Sequence, residues 1–311
     1  MMMAGSMKLF GADLFGLSMT AVIQGTLTIP ALYLLGRELS GRWVGLLAAG
    51  LIAISYTHIH FSRIVTTASP LLFAILSFYF LFRGLRLQRN VCFALAGISM
   101  GIGLLTYYPS RVLVILVVML FLWMLIWKRD VVADLKSGWI TLSAGALLAF
   151  GPMLSVVLFD FSAFVGRSNL VALWKPTVMT HLMGKYGVDS TSQVWLEQFK
   201  RTFLTFFLYP DASTHFGFPG PMVNALTAVL LILGFGYALR HLRDERYFTL
   251  ATWLLATLLL GGVSTNDPPF WPHLVIALPA VMLLAAIAGE RAWKIFVEAM
   301  PKSWQWGVGF A

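Results

Sequence analysis

Nine apolar runs constrain this chain more than any other feature. They cover roughly residues 19–36, 43–57, 70–83, 91–108, 111–127, 138–159, 222–239, 248–264 and 272–289. About 20 apolar residues cross the ~30 Å hydrocarbon of a bilayer as a helix. Only helices fit here, because lipid-exposed backbone must satisfy its own hydrogen bonds. The expected fold is an all-α polytopic membrane protein with about nine transmembrane helices. Residues 1–311 form a single transmembrane domain in this reading. Composition agrees: charged residues make up 11% of the chain and hydrophobic ones 59%, against about a quarter charged in soluble domains. The second and third runs are short for a crossing, so tilt or extra turns at their ends are expected.

Lysines and arginines set the orientation. Fourteen fall in one set of connections: Arg37, Arg42, Arg83, Arg86, Arg89, Lys128, Arg129, Lys136, Arg240, Arg243, Arg246, Arg291, Lys294 and Lys302. The other set holds seven: Arg63, Arg111, Arg167, Lys175, Lys185, Lys200 and Arg201. The richer set is expected on the cytoplasmic side of the cell membrane, with the C-terminus. The net charge of +9 then reflects arginines facing anionic lipid, with no call for nucleic acid. Met1 carries no signal-peptide pattern after it, yet the span count starts the chain outside. The expectation is that the chain lacks at least one N-terminal span relative to a complete protein, or that one short span is miscounted.

Residues 160–221 read as a long extracytoplasmic loop. Within it "STSQVWLEQFKRTFLTFFLYPD" reads as an amphipathic helix, with Trp195, Phe199 and Phe203 opposite Gln198, Lys200 and Arg201. Such a helix lies in the membrane interface or packs on the mouth of the bundle. Residues 290–311 are expected to form a cytoplasmic amphipathic tail.

The stretch Gly50–Pro70 climbs to the charge-poor face and presents His58, His60 and Arg63 there. A guanidinium is a planar fork that fits phosphate; its other reading is an arginine snorkelling to lipid headgroups. His58 and His60 do not share a helix face, so they make no metal pair. One cysteine, Cys92, excludes an internal disulfide and gives no metal spacing. On the same face lie Tyr107, Tyr108 and Arg111 of "LLTYYPSRV", and Asn266, Asp267 and His273 of "STNDPPFWPHL". Tyr107, Tyr108 and Arg111 read equally as aromatic-belt anchors. Together these loops could form a cationic, aromatic-lined mouth suited to an anionic lipid headgroup. Asp160 ends an apolar run, either as a general base or as a helix end in water. The candidates are thus Arg63, His60, Tyr107, Arg111 and His273 for substrate binding and Asp160 for catalysis, with no metal and no cofactor. P-loop, GxSxG and HExxH patterns are absent from the sequence.

"GTLTIPALYLLGRELSGRWVGLLAAGLIAISYTHIHFSRIV", "RGLRLQRNVCFALAGISMGIGLLTYYPSR" and "NDPPFWPHLVIALPAVMLLAAIAG" resemble membrane glycosyltransferases that take sugar from a polyprenyl-phosphate carrier. Protein O-mannosyltransferases and lipid A aminoarabinose transferases are of this kind. The resemblance implies a C-type glycosyltransferase bundle that binds a polyprenyl-phosphate sugar as donor. It implies inversion at the anomeric carbon, an acidic base in the first outer loop and cations on the carrier phosphate. This chain departs from that pattern. The first span and its acidic loop have no counterpart, and Ser18 and His273 stand where relatives often carry arginine. The expected function is transfer of sugar from the carrier to an acceptor at the extracytoplasmic face, with an inactive fragment of such a transferase as the alternative. The rival is a lipid or sugar flippase without covalent chemistry. Against it, charges sit at span ends, with Gly151-Pro152 the one broken site inside a run.

Overall fold

The structure, a computed structural model, describes residues 2–64, 69–211, 213, 216–266 and 268–300, without the side chains of Met2, Ser69 and Arg167. Among these residues there are helices and two isolated bridges but no strand. Each apolar run gives a helix. In chain order the helices are α1 Met2–Phe10, α2 Leu14–Ser40, α3 Arg42–Ala53, α4 Tyr56–Phe61 and α5 Ser69–Leu87. Then come α6 Asn90–Leu104, α7 Val112–Trp127, α8 Arg129–Asp134, α9 Lys136–Phe159, α10 Phe161–Val171 and α11 Pro176–Tyr186. The last are α12 Thr191–Phe203, α13 Ala225–Arg240, α14 Glu245–Thr257, α15 Trp271–Leu274 and α16 Leu278–Ala299. Six of the helical segments are long and apolar enough to cross a membrane, and the chain is a multi-pass membrane protein. The helices of the second, fourth and seventh runs, α3, α6 and α13, are shorter. The described residues therefore supply helices at all nine expected places but full crossing length at six.

The second run departs most from expectation. At 1.5 Å per residue, the twelve residues of α3 reach only about 18 Å. The chain breaks at Ile54 and Ser55, where the Ser55 side chain caps α4. Residues 43–57 are thus two helices. The third run grew instead, to α5.

The core is organised around α16. Every residue from Leu278 to Ala288 is buried, which requires neighbours on all sides. α2, α3, α5, α13 and α14 supply them. α14 is fixed by the Trp253 indole, which donates to the Ile276 carbonyl at 2.9 Å and lies against Phe78 of α5.

In lipid, helix association rests on close packing at small residues rather than on the hydrophobic effect. α6 shows this. A Cβ on Gly97 would meet the Leu142 carbonyl oxygen of α9 at 2.0 Å, and one on Gly101 the Ala146 oxygen at 2.5 Å. Gly97 and Gly101 are a GxxxG pair that lets the α6 and α9 backbones touch. α9 runs unbroken through Pro152, so Gly151-Pro152 is not a discontinuity.

The segment 160–221 is not a loop with one helix. It holds α10, α11 and α12, joined by a bridge between Ala172 and Thr265 to the connection after α14. α12 is turned relative to the sequence reading. Its buried residues are Val194, Gln198 and Thr202, while Phe199 is 42% exposed. Gln198 faces inward because it has partners there: its amide donates to the Thr265 carbonyl at 2.7 Å and accepts from Tyr186 at 3.1 Å. Of the two readings, packing on the mouth of the bundle is what the structure shows. At the far end, 290–299 continues α16 as helix; residues 301–311 of the expected tail, and Asp267, lie outside the described residues.

Candidate functional site

The loops at the arginine-poor end of the bundle meet around a cavity of about 340 Å³. Three sequence candidates, Tyr107, Arg111 and His273, line it together. Tyr107 precedes a tight turn, Tyr108–Arg111, with Pro109 at its start. The turn delivers Arg111 to the foot of α7. There its guanidinium donates to the Phe164 carbonyl at 2.8 Å and to the Ser168 hydroxyl at 3.1 Å, both on α10. Its plane carbon lies 3.9 Å from the Phe164 ring centre and 4.7 Å from that of Tyr108. These partners are neutral, so no carboxylate cancels the charge. Aromatic faces hold a guanidinium in place and leave its remaining N–H groups available for an anion.

The opposite wall is built from the connection after α14. α14 widens at its end into a π-helix, Leu258–Val263, a form that concentrates at functional sites. Thr257, Leu260, Gly261, Ser264 and Thr265 line the cavity from it. A Cβ on Gly261 would sit 2.8 Å from the His273 carbonyl oxygen, so glycine allows α15 to close against this wall. Val112, Ile115 and Ile276 make the apolar part. Among the described residues no Asp or Glu lines the cavity. The result is a hollow lined by a guanidinium, two phenols and an imidazole together with aliphatic side chains.

α15 is held by Asp211. Its carboxylate, 3% exposed, accepts the Trp271 amide at 2.9 Å and the Ser213 amide at 2.8 Å. The Trp271 indole donates to the Thr205 hydroxyl at 3.0 Å. The burial of Asp211 and its partner sixty residues away carry no local sequence pattern.

The other candidates lie elsewhere. His60 and Arg63 do not line the cavity. The His60 ring donates to the Phe216 carbonyl at 3.3 Å and packs edge-on against Phe218, which stacks on Trp271. The 216–218 stretch thus stands between α4 and α15. Arg63 is exposed, and its guanidinium has no partner among the described residues. Asp160 is exposed and caps α10 by accepting the Ala163 amide at 3.0 Å. The Ser162 hydroxyl and that amide hold its carboxyl below the usual carboxylate range. It sits at the end of α10 remote from Val171, about 16 Å along the axis, and does not line the cavity. Ser18 lies on α2, away from it. His58, buried in α4 beside Gly25 and Ile52, is pulled down to about pKa 4 by burial, with both backbones opposing.

A helical bundle whose arginine-poor loops enclose a cationic, amphipathic cavity is the architecture of C-type membrane glycosyltransferases. A family model described as dolichyl-phosphate-mannose-protein mannosyltransferase matches residues 1–156, half of the chain, and the chain belongs to that family. The fold is similar to that of ArnT from Cupriavidus metallidurans, solved bound to undecaprenyl phosphate. That match has a TM-score of 0.60 at 17% identity and covers 96% of this chain and 51% of that one. It is also similar to the archaeal oligosaccharyltransferase AglB from Archaeoglobus fulgidus, in complex with an inhibitory peptide and a dolichol-phosphate. There the TM-score is 0.50 and the identity 16%, over 96% of this chain and 43% of that one. The chain spans about half the length of these solved structures or less. No curated protein matches the sequence.

Proposed function

We propose that this chain is the membrane bundle of a glycosyltransferase that takes its sugar from a polyprenyl-phosphate carrier. The observation that carries the reading is the convergence of Tyr107, Arg111 and His273 on one cavity that aliphatic side chains also line. A polyprenyl phosphate has the same two parts, an anionic head and an aliphatic tail. Arg111 holds the phosphate through its open N–H edge, and Val112, Ile115 and Ile276 receive the first isoprene units.

In the reaction an acceptor oxygen attacks the anomeric carbon and loses its proton, while the bond from that carbon to the phosphate oxygen breaks. Negative charge grows on the departing phosphate. A cation fixed there before the step stabilises the transition state without reorganising. Arg111 plays that part. Among the described residues the lining offers a cation, phenols and hydroxyls, and these serve the leaving-group side. The charge asymmetry between the two ends of the bundle supports an extracytoplasmic cavity and a cytoplasmic C-terminus. Arg63, exposed after α4 and outside the cavity lining, is assigned to the acceptor or to lipid headgroups.

The test uses the protein in liposomes with polyprenyl-phosphate sugars. Release of free polyprenyl phosphate that Arg111→Ala abolishes supports transfer. Movement of intact sugar-lipid across the bilayer without cleavage would overturn it in favour of flipping.

A further inference from the structure

The arginine-rich end of the bundle holds a second concavity of about 350 Å³. Its walls are the Ser40-Gly41 turn between α2 and α3, the start of α14 and the last turns of α16. Glu38, Arg246, Glu290, Arg291 and Lys294 line it. The carboxylates around it are already matched. Glu38 pairs with Arg83 at 3.6 Å and with Arg86. Glu290 pairs with Lys294. Asp244 grips the Arg246 fork, whose other nitrogen donates to the Leu39 carbonyl at 2.9 Å. Five cations thus face three carboxylates, and the surplus is positive.

Arg291 is the cation in this lining with no carboxylate partner among the described residues. It lies over the Tyr237 ring, 3.9 Å from its centre. Such stacking leaves guanidinium N–H groups unspent. In the same lining the Ser40 hydroxyl oxygen is buried without a hydrogen-bond partner among the described residues. A buried hydroxyl left unpaired costs free energy, and native structures usually supply a partner. Gly41, at φ 100°, turns the chain here without putting a side chain into the space.

We propose that this pocket binds a phosphate group, from the headgroup of an anionic phospholipid or from free phosphate. Basic pockets between spanning helices hold lipid headgroups by the same chemistry. Arg291 supplies the charged N–H edge, and Ser40, whose oxygen is covered in this rotamer, turns about its Cα–Cβ bond to donate its hydroxyl to a phosphate oxygen. The surplus charge keeps the anion from being repelled by Glu38 and Glu290. The site is separate from the cavity at the other end and does not depend on the glycosyltransferase reading.

The full chain is reconstituted in phosphatidylcholine alone, in phosphatidylcholine mixed with phosphatidylglycerol, and in phosphatidylcholine with added inorganic phosphate. Thermal stability and retained lipid, by native mass spectrometry, are read for each. Phosphatidylglycerol is expected to raise the unfolding temperature and to be retained. Arg291→Gln should weaken retention about tenfold or more, the size of one charge-assisted hydrogen bond. Ser40→Ala should weaken it less, and Arg291→Lys should keep most of it, which separates binding from folding. Arg240→Gln, exposed at the same end outside the pocket, should change nothing. If inorganic phosphate alone reproduces the effect through Arg291, the bound group is free phosphate. Equal weakening by Arg240→Gln and Arg291→Gln would mean diffuse surface charge and overturn the site. So would no response to either phosphate source.

Discussion

The Asp211 carboxylate accepts the Trp271 backbone amide at 2.9 Å across sixty residues of sequence. This bond joins the 160–221 segment to the short helix that brings His273 to the cavity. It also caps a turn in which Phe218 returns to Asp211 through a backbone bridge. The carboxylate and the Trp271 amide are buried, so no water replaces that bond, whereas the Ser213 amide is only half-buried.

Asp211→Ala is therefore expected to leave the Trp271 and Ser213 amides unsatisfied. The Trp271 amide is the buried one, and such an orphan costs about 1–3 kcal/mol, so the variant should lose about that much stability. Thermal unfolding in detergent measures this. Carrier-phosphate binding should fall alongside it, because α15 is released. An unfolding midpoint within experimental error of wild type would rule out the clamp.

Gln198 gives a second prediction of the same kind with the opposite sequence logic. A glutamine on an amphipathic helix normally faces water, yet here its amide reaches the Thr265 carbonyl at 2.7 Å in the cavity wall. Gln198→Leu keeps the volume and removes both bonds. It should destabilise by about 1–3 kcal/mol, whereas Phe199→Gln on the exposed face should have little effect. Reversal of that order, read by chemical unfolding, would restore the orientation inferred from the pattern of aromatics.

His58 predicts a pH dependence. Burial lowers its pKa from 6.5 to about 4, so the folded state binds its proton less readily than the unfolded state. Above pH 6.5 both states are neutral and stability is full. As pH falls towards 4 the unfolded state takes up the proton first, and stability drops. Over that window the loss reaches about 3 kcal/mol. His58→Leu should flatten this part of the stability profile. An unchanged slope between wild type and variant would show that other groups carry it.

Apolar length and spacing made the helices legible, because in lipid the backbone has so few alternatives. The grouping of Tyr107, Arg111 and His273 was legible for a related reason: residues at span ends on one side share one surface. What could not be read was anything decided by partners distant in the chain. His60 and Arg63 stand at the same end as Arg111, yet Phe216 and Phe218 pack between His60 and α15, and Arg63 is exposed outside the cavity lining. Gln198 looked solvated until Thr265 supplied a carbonyl. The break at Ile54 and Ser55 was hidden because no glycine or proline marks it. The π-helix had one signal, the Gly261-Gly262 pair, which a count of hydrophobic residues reads as more of the same span.

Gly261 puts the geometry of that wall to the test. A Cβ there would lie 2.8 Å from the His273 carbonyl oxygen, closer than real contacts permit, and the neighbour is backbone with no rotamer to adjust. Gly261→Ala must therefore push α15 away or unwind the π-turn. Overpacking of this size costs about 1–3 kcal/mol. The shift also moves His273 relative to Arg111, so the two residues no longer meet the same anion. Polyprenyl-phosphate binding should weaken by more than the stability loss alone explains. Gly236→Ala on α13, where a Cβ meets nothing within 4 Å, is the matched control and should bind normally. Equal binding by the two variants would show that the close approach of α15 to the π-turn does not shape the cavity.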